Sequence, residues 1–423
     1  MPVGDPVPAQ DSVPTPRDRQ ARLATFAVFF VQGLTFATLL THVDALQKKH
    51  GLSDGELTIL LLVVPLIAGA GSVLAGAAAS RFGSRPILRL VQPLACAAVV
   101  LAGLAPNVPM LVAANVLFGL GLGGVDAGMN MQGVAVERRY GRAVLTGFHA
   151  LWSVAAVVGA LWASASATLH LSLPVTFAIA LVPAAALAVL SSFWLCLPEE
   201  EHHASAGRDE NAADENTGDE NTPAARPAGL AWRPIIPLCL AMAFLYVGDS
   251  SISNFGTLFM GKVMHASASV IPLALGAYQL TTFLVRVGGD LAVRRWGPAA
   301  IVRAGGSVAT LGFVAIVAAP TAPLAIAGFA LTGIGLSVVA PQSFSAAGRL
   351  DPAGTGVAIA RVNMFNYVGF IVGAALVGGL ADASGFRVAF AAPLVLAAAI
   401  ILLARGFQPR TAEPAPTTTA VTP

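Results

Sequence analysis

The chain has 423 residues, of which 56% are hydrophobic and only 11% charged, with a net charge of +2. A soluble domain carries about 25% charged residues, so this composition cannot cover a water-facing surface, and a bilayer is the solvent it fits. There is no basic stripe for nucleic acid and no phosphate-binding glycine loop or Ser/His/Asp set in a polar segment, which excludes an ATP-driven pump and leaves no expected enzyme activity, cofactor or metal.

Residues 1–21 are polar and proline-rich and lack the apolar core and cleavage site of a signal peptide. They are expected to form a disordered tail, with the first apolar segment doing its own targeting. Crossing a hydrocarbon core of about 30 Å takes about 20 helical residues. Twelve apolar runs of that order follow, at 22–45, 57–79, 87–105, 109–135, 143–163, 174–196, 234–260, 269–291, 300–319, 324–345, 355–380 and 387–405. The chain therefore divides into a six-helix unit at 22–197, a linker at 198–232, a second six-helix unit at 233–406 and a Pro/Thr-rich disordered tail at 407–423. The linker, beginning PEEEHHASAG, has no periodicity and reads as a solvated tether rather than a metal site at His202 and His203. Cys96, Cys196 and Cys239 lie in apolar runs without ligand spacing and read as small packing residues.

Taken in order, the segments carry few polar groups at depth. The first holds Gln32 and Thr35, with Asp44 only at its outer end. The fourth contains GGVDAGMNMQG, in which Gly119, Gly123, Asp126, Asn130, Gly133 and Glu137 share one helical face. A charged side chain at the bilayer centre costs about 2.5–3.5 kcal/mol even on insertion scales. Asp126 is therefore either a proton or substrate group in a cavity or a protonated acid bonded to a neighbouring helix. His149 in the fifth segment is either a proton relay or a neutral interhelical hydrogen bonder, and Trp152 a turn later either stacks on a sugar ring or packs. The seventh segment places Asp249 near mid-membrane and Asn254 further out. In the eighth, Arg286 and Asp290 are spaced as a self-neutralising i, i+4 pair. The tenth carries a glycine-then-proline break with Gln342 as its polar contact, and the eleventh holds Arg361, Asn363 and Asn366. Arg361 either closes a gate against Asp290 or binds an anionic group.

Lysine and arginine are distributed 18 to 4 between alternate sides, which puts both termini in the cytoplasm. The halves also repeat. In a single register of 214 residues Arg81 answers to Arg295, Gly83 to Gly297, Gly119 and Gly121 to Gly333 and Gly335, Glu137 to Asp351 and Gly159 to Gly373. Two parallel six-helix units joined by a linker describe a transporter built from repeats, with its site between them.

This plan resembles the major facilitator superfamily over the whole membrane part of the chain. The loop GAAASRFGSRPIL (Gly76 to Leu88) is similar to that family's signature, with Ser80 where its acid stands; RVGGDLAVRRWGP (Arg286 to Pro298) is a degenerate second copy. The resemblance implies an all-α membrane fold, two bundles related by a pseudo-twofold, and a central cavity that Asp126 and Asp249 face from opposite halves. Asp126-x-x-x-Asn130 also resembles the helix 4 pattern of the fucose/proton symporter group, although the acid that group carries in helix 1 is missing here. The segment around Asp249 resembles one in a poorly characterised bacterial branch of the superfamily.

The expected assignment is a proton-coupled transporter of a small polar, sugar-like solute, monomeric in a bacterial inner membrane, or alternatively a proton-antiporting exporter. Asp126, Asp249 and His149 are the proton-coupling candidates. Gln32, Thr35, Asn130, Trp152, Asn254, Gln342, Asn363 and Asn366 are the substrate contacts, and Arg81, Arg85, Glu137, Arg286, Asp290 and Arg361 form the gate.

Overall fold

The computed structural model describes residues 14–202, 231–267, 270–351 and 353–409, and is helical, with no strand among them. The N-terminal bundle contains α1 (Pro16–Leu40), the short α2 (Val43–His50), α3 (Asp54–Phe82), α4 (Ser84–Leu104), α5 (Val108–Tyr140), α6 (Leu145–Thr168) and α7 (Leu173–Ser191). A five-residue helix, α8 (Pro198–His202), opens the linker. The C-terminal bundle contains α9 (Ile236–Lys262), α10 (Ile271–Trp296), α11 (Pro298–Ala318), α12 (Ala322–Leu336), α13 (Val339–Leu350), α14 (Val357–Ser384), α15 (Phe386–Ala389) and α16 (Ala391–Leu403). Of the described helical spans, 11 are long and apolar enough to cross a membrane. By position α10 completes the set of twelve; Gln279, Thr281, Thr282, Arg286 and Asp290 lower its hydropathy.

Several boundaries differ from those expected. The first helix starts at Pro16 rather than 22, because Thr15 and Asp18 form a reciprocal capping box with proline at the first helical position. It ends at Leu40, and the turn at 41–42 starts a separate helix. The expected linker begins with a helix that ends at His202, and 203–230, which includes His203, and the tails 1–13 and 410–423 lie outside the described residues. The break in the tenth segment falls at Ser337 and Val338, just before Pro341.

The 214-residue register recurs as contact geometry. Gly83 and Gly297 both turn the chain between two helices with φ of 75° and 78°, a region open mainly to glycine. A Cβ on Gly121 would meet Ala95 at 3.0 Å, and one on Gly335 would meet the register-equivalent Ala309 at 2.3 Å. Gly119 abuts Val64, and Gly333 abuts its equivalent Tyr278. Small residues let these backbones close on each other where apolar burial alone cannot drive helix association. The tightest case is Gly123, where a Cβ would lie 1.8 Å from the Ala68 carbonyl, so α5 is clamped to α3 just before Asp126.

The bundles meet along α3 against α14 and α6 against α10, with α5 and α13 crossing between them. This seam positions the functional side chains.

Candidate functional site

Asp126 lies about 20 Å from the linker-side end of α5, mid-depth for a core of about 30 Å. One carboxylate oxygen accepts from Gln32 Nε2 of α1 at 3.0 Å. The other accepts from the Tyr367 hydroxyl of α14, in the opposite bundle, at 2.5 Å. Asp249, at comparable depth in α9, accepts from the Tyr278 hydroxyl of α10 at 2.5 Å, within its own bundle. Both aspartates are half-buried, and so is Tyr246, which lies within electrostatic reach of both carboxylates and of Arg286. The two acids thus share one region but do not touch.

Around them four buried polar atoms have no hydrogen-bond partner among the described residues: Gln32 Oε1, Asn130 Oδ1, His149 Nε2 and Arg286 Nε. Buried polar groups are nearly always satisfied, so this pattern fits water or a polar ligand. Asn130 uses its Nδ2 on the Asp126 carbonyl at 2.8 Å. His149 packs edge-on to Phe29 and lies parallel to Phe344, with ring centroids 5.2 and 6.2 Å away. It makes no hydrogen bond to either aspartate. Trp152 packs on Phe36 at 5.9 Å. Asn254 is exposed and donates to Ser250 Oγ at 2.9 Å, and Asn366 is half-buried. Thr35 turns away from this region, donating to the Val31 carbonyl at 2.7 Å and lying 3.3 Å from Cys96 Sγ of α4.

Below this level, toward the linker end, the seam is laced. Asn363 Nδ2 donates to Ser72 Oγ at 3.0 Å, and Ser72 Oγ donates to the Ala360 carbonyl at 3.3 Å. Gln342 reaches Thr146 Oγ1 at 3.5 Å. Asp290 accepts from the Thr146 and Gly147 amides, both at 2.9 Å, and so caps α6 from the opposite bundle. Its partner there is a helix N-terminus with free N–H groups and a positive dipole end. Arg286 donates to Ser153 Oγ at 3.0 Å instead of to Asp290, so the expected i, i+4 pair is not formed. At the linker end Arg138 donates to the Gly348 and Asp351 carbonyls, Ser345 donates to Glu137, and Arg294 donates to the Ala143 carbonyl. Glu137 also accepts from the Val144 and Leu145 amides at 3.0 and 3.1 Å.

The remaining gate candidates sit elsewhere. Arg81 is exposed beside Phe82, and Arg85 donates to the Ser192 and Phe193 carbonyls of its own bundle, because the end of α7 offers unpaired carbonyls there. Arg361 lies 4.3 Å over the Trp232 ring, while Asp290 is engaged by α6.

Sequence reasoning missed the tyrosines. The chain has only four, and Tyr246, Tyr278 and Tyr367 all fall mid-helix among apolar residues. A rare hydroxyl at bilayer depth needs a partner, and that signal was available. The role of α8 was not, because it depends on a docking between segments far apart in the chain. Glu201 is buried, and its carboxylate accepts from the Ser84 amide at 3.0 Å, Ser84 Oγ at 3.1 Å and Gln132 Nε2 at 2.9 Å. The Arg17–Glu200 ion pair at 2.7 Å straps the same helix to α1. A Cβ on Gly354, from the opposite bundle, would meet the Glu201 carbonyl at 2.4 Å.

Burial pushes the Glu201 carboxyl up to about 7 against the lowering effect of the Ser84 hydrogen bonds, and the neighbouring Glu200 charge adds to the rise. Arg138 and Asp351 line the same small cavity, and Arg17 and Arg139 hold Glu200. A group raised on docking favours the docked form below its free value near 4.5 and loses that contribution as pH climbs through about 7. Backbone amide exchange at 199–201, corrected for its intrinsic rate, is therefore expected to accelerate between about pH 4.5 and pH 7 and to level off above that. Glu201→Gln should flatten that profile; an identical profile in the variant would refute the assignment.

The comparisons agree with this architecture. A family model described as Major Facilitator Superfamily matches residues 23–355 and 238–423. An uncharacterized transporter of Sinorhizobium fredii is 28% identical over 378 residues, 89% of this chain and 96% of the relative. FucP of E. coli, a fucose:proton symporter, is similar in its outward conformation with a TM-score of 0.72 at 15% identity, covering 91% of this chain and 98% of FucP. The human organic anion transporter MFSD10 also gives 0.72, at 14% identity, covering 93% of this chain and all of that one. The chain belongs to the Major Facilitator Superfamily, a multi-pass membrane transporter family rather than a family of enzymes.

Proposed function

We propose that this transporter takes up a small polar, sugar-like solute together with protons by alternating access. The observation that carries the reading is the bond between Asp126 and Tyr367, the deepest hydrogen bond across the seam described above. An ionised carboxylate accepts only, so the tyrosine hydroxyl must donate to it; a protonated one gives up an acceptor site and the charge. Hydrogen bonds to charged groups are worth about 1.5–3 kcal/mol and neutral ones about 1 kcal/mol. Proton loading at Asp126 therefore weakens the contact that holds the bundles together, which is the linkage a symporter needs.

The cross-bundle bonds named above run from the linker end up to Asp126 and no further. With the linker side cytoplasmic, as the lysine and arginine distribution argues, these bonds close the described form at its cytoplasmic end. In this form Gln32, Asn130, Trp152, Asn254 and Asn366 border the solute space, Asp126 carries the proton and Asp249 is a second acid in the same region. Glu137, Asp290 and Arg286 serve the cytoplasmic gate, joined by Gln342, Asn363 and Ser72. The protein works as a monomer in the bacterial inner membrane. The half-buried aromatics Trp152 and Tyr246 favour a second reading, proton-driven export of a less polar solute.

Proteoliposomes carrying an imposed pH gradient, acid outside, separate the two. Radiolabelled monosaccharides are expected to accumulate inside and to leak out when a protonophore is added. Loss of a preloaded solute under the same gradient would establish export, and indifference to the gradient would reject proton coupling.

A further inference from the structure

On the membrane-facing side of the N-terminal bundle, α4 and α7 enclose an open apolar groove of about 320 Å³ that plays no part in the seam. Pro93, Ala97 and Val100 form one wall and Leu181, Val182 and Ala185 the other. The alanines leave the room, and each helix carries an internal proline, Pro93 and Pro183.

The linker-side end of this groove is cationic. Arg89 precedes Pro93 by one turn on the same stripe of α4. Its Nε donates to Ser192 Oγ at 2.9 Å and its guanidinium lies 4.4 Å over the Phe193 ring. Its Nη2 is buried and has no hydrogen-bond partner among the described residues. Arg85, a turn nearer the helix end, donates only to the Ser192 and Phe193 carbonyls. Among the described residues, no carboxylate forms an ion pair with either arginine. Pro93 has no N–H to give the Arg89 carbonyl, which leaves an acceptor at the same place. Phe193 and Trp194 are exposed there, as aromatics at a membrane interface are.

We infer that this crease binds an anionic phospholipid of the linker-side leaflet, with its phosphate against Arg89 and Arg85 and one acyl chain along the groove between α4 and α7. The two guanidinium groups lie in the first two turns of α4, within about 8 Å of the helix end, where headgroups reside. Basic pockets between helices at that level select anionic headgroups. The groove opens toward the bilayer rather than toward water, so the occupant brings a hydrocarbon chain as well as a charge. A zwitterionic lipid would fill the groove but leave the cations uncompensated.

Native mass spectrometry of the delipidated full-length protein tests this. It is titrated with phosphatidylglycerol or phosphatidylcholine of identical chains, with glycerol phosphate as the soluble control. The wild-type protein is expected to retain phosphatidylglycerol about 10-fold better than phosphatidylcholine. Arg85→Gln with Arg89→Gln should remove that preference. Ala97→Phe, which fills the crease from an exposed position and leaves the arginines in place, should lower retention of the bound lipid. Equal retention of the two lipids by the wild type would overturn the proposal. So would a preference unchanged in both variants, binding of glycerol phosphate as tight as that of the lipid, or a dimer in place of a lipid adduct.

Discussion

Asp126→Asn is expected to abolish accumulation against a gradient while solute exchange across the membrane continues. The amide keeps the shape of the side chain and one acceptor oxygen but cannot bind or release a proton. The bundles can still rock around the solute, so counterflow of labelled for unlabelled solute persists, whereas a pH gradient no longer drives net uptake. Tyr367→Phe should have a different signature. It deletes the 2.5 Å donor from the opposite bundle and leaves the carboxyl titratable. Losing a hydrogen bond to a charged acceptor costs about 1.5–3 kcal/mol, or about 10- to 150-fold in the balance between closed and open seams. Protonation then no longer changes the strength of the seam, so the linker end should open more readily and a pH gradient should drive less accumulation. Tyr278→Phe, which serves Asp249 inside one bundle, should not shift that balance. Equal loss of exchange and accumulation in Asp126→Asn would sink the coupling role, and an unchanged seam in Tyr367→Phe would sink the latch.

The second large effect concerns Asp290→Asn. The native carboxylate accepts from two amides of α6 at 2.9 Å each and faces the positive end of that helix. A neutral amide retains at most one of these acceptances, and removal of a cap costs about 0.5–2 kcal/mol. In the 214-residue register Asp290 answers to Gly76, so the matching seam between α3 and α14 has no acid. There a Cβ on Gly76 would meet Ala360 Cβ at 2.3 Å, and the seam is closed by close packing and the Ser72 bonds. Asp290 thus caps α6 from across the seam, while Glu137 caps the same helix end from its own bundle. Spin labels at the exposed positions Arg142→Cys and Arg295→Cys should report, by pulsed electron resonance, a larger long-distance population in Asp290→Asn. A distance distribution identical to that of the unsubstituted pair would contradict the gate.

How far the site could be read from sequence varied by residue. Asp126 and Asn130 stand out because a carboxyl among apolar residues must find a cavity or a partner. Asp290 was legible as a polar group at the gate, but not its partner; the i, i+4 spacing pointed to Arg286, and the structure gives the carboxylate to amides across the seam. A backbone donor has no side chain to recognise. Thr35 looked like a cavity residue by depth alone, yet rotation about the helix axis turns it to Cys96. Arg85 resembled a gate residue through its loop, and the unpaired carbonyls after α7 hold it on its own bundle instead.

By itself the sequence determined the solvent, the number of crossings, the repeat and the depth of each charged group. All of these follow from hydrophobicity and helical rise, which are properties of single segments. Which helices face each other, and therefore that Asp126 meets Tyr367 and Asp290 meets α6, only the tertiary structure decided. Partners brought together from 241 and about 144 residues apart depend on how close glycine-lined helices approach, and no local pattern encodes that distance.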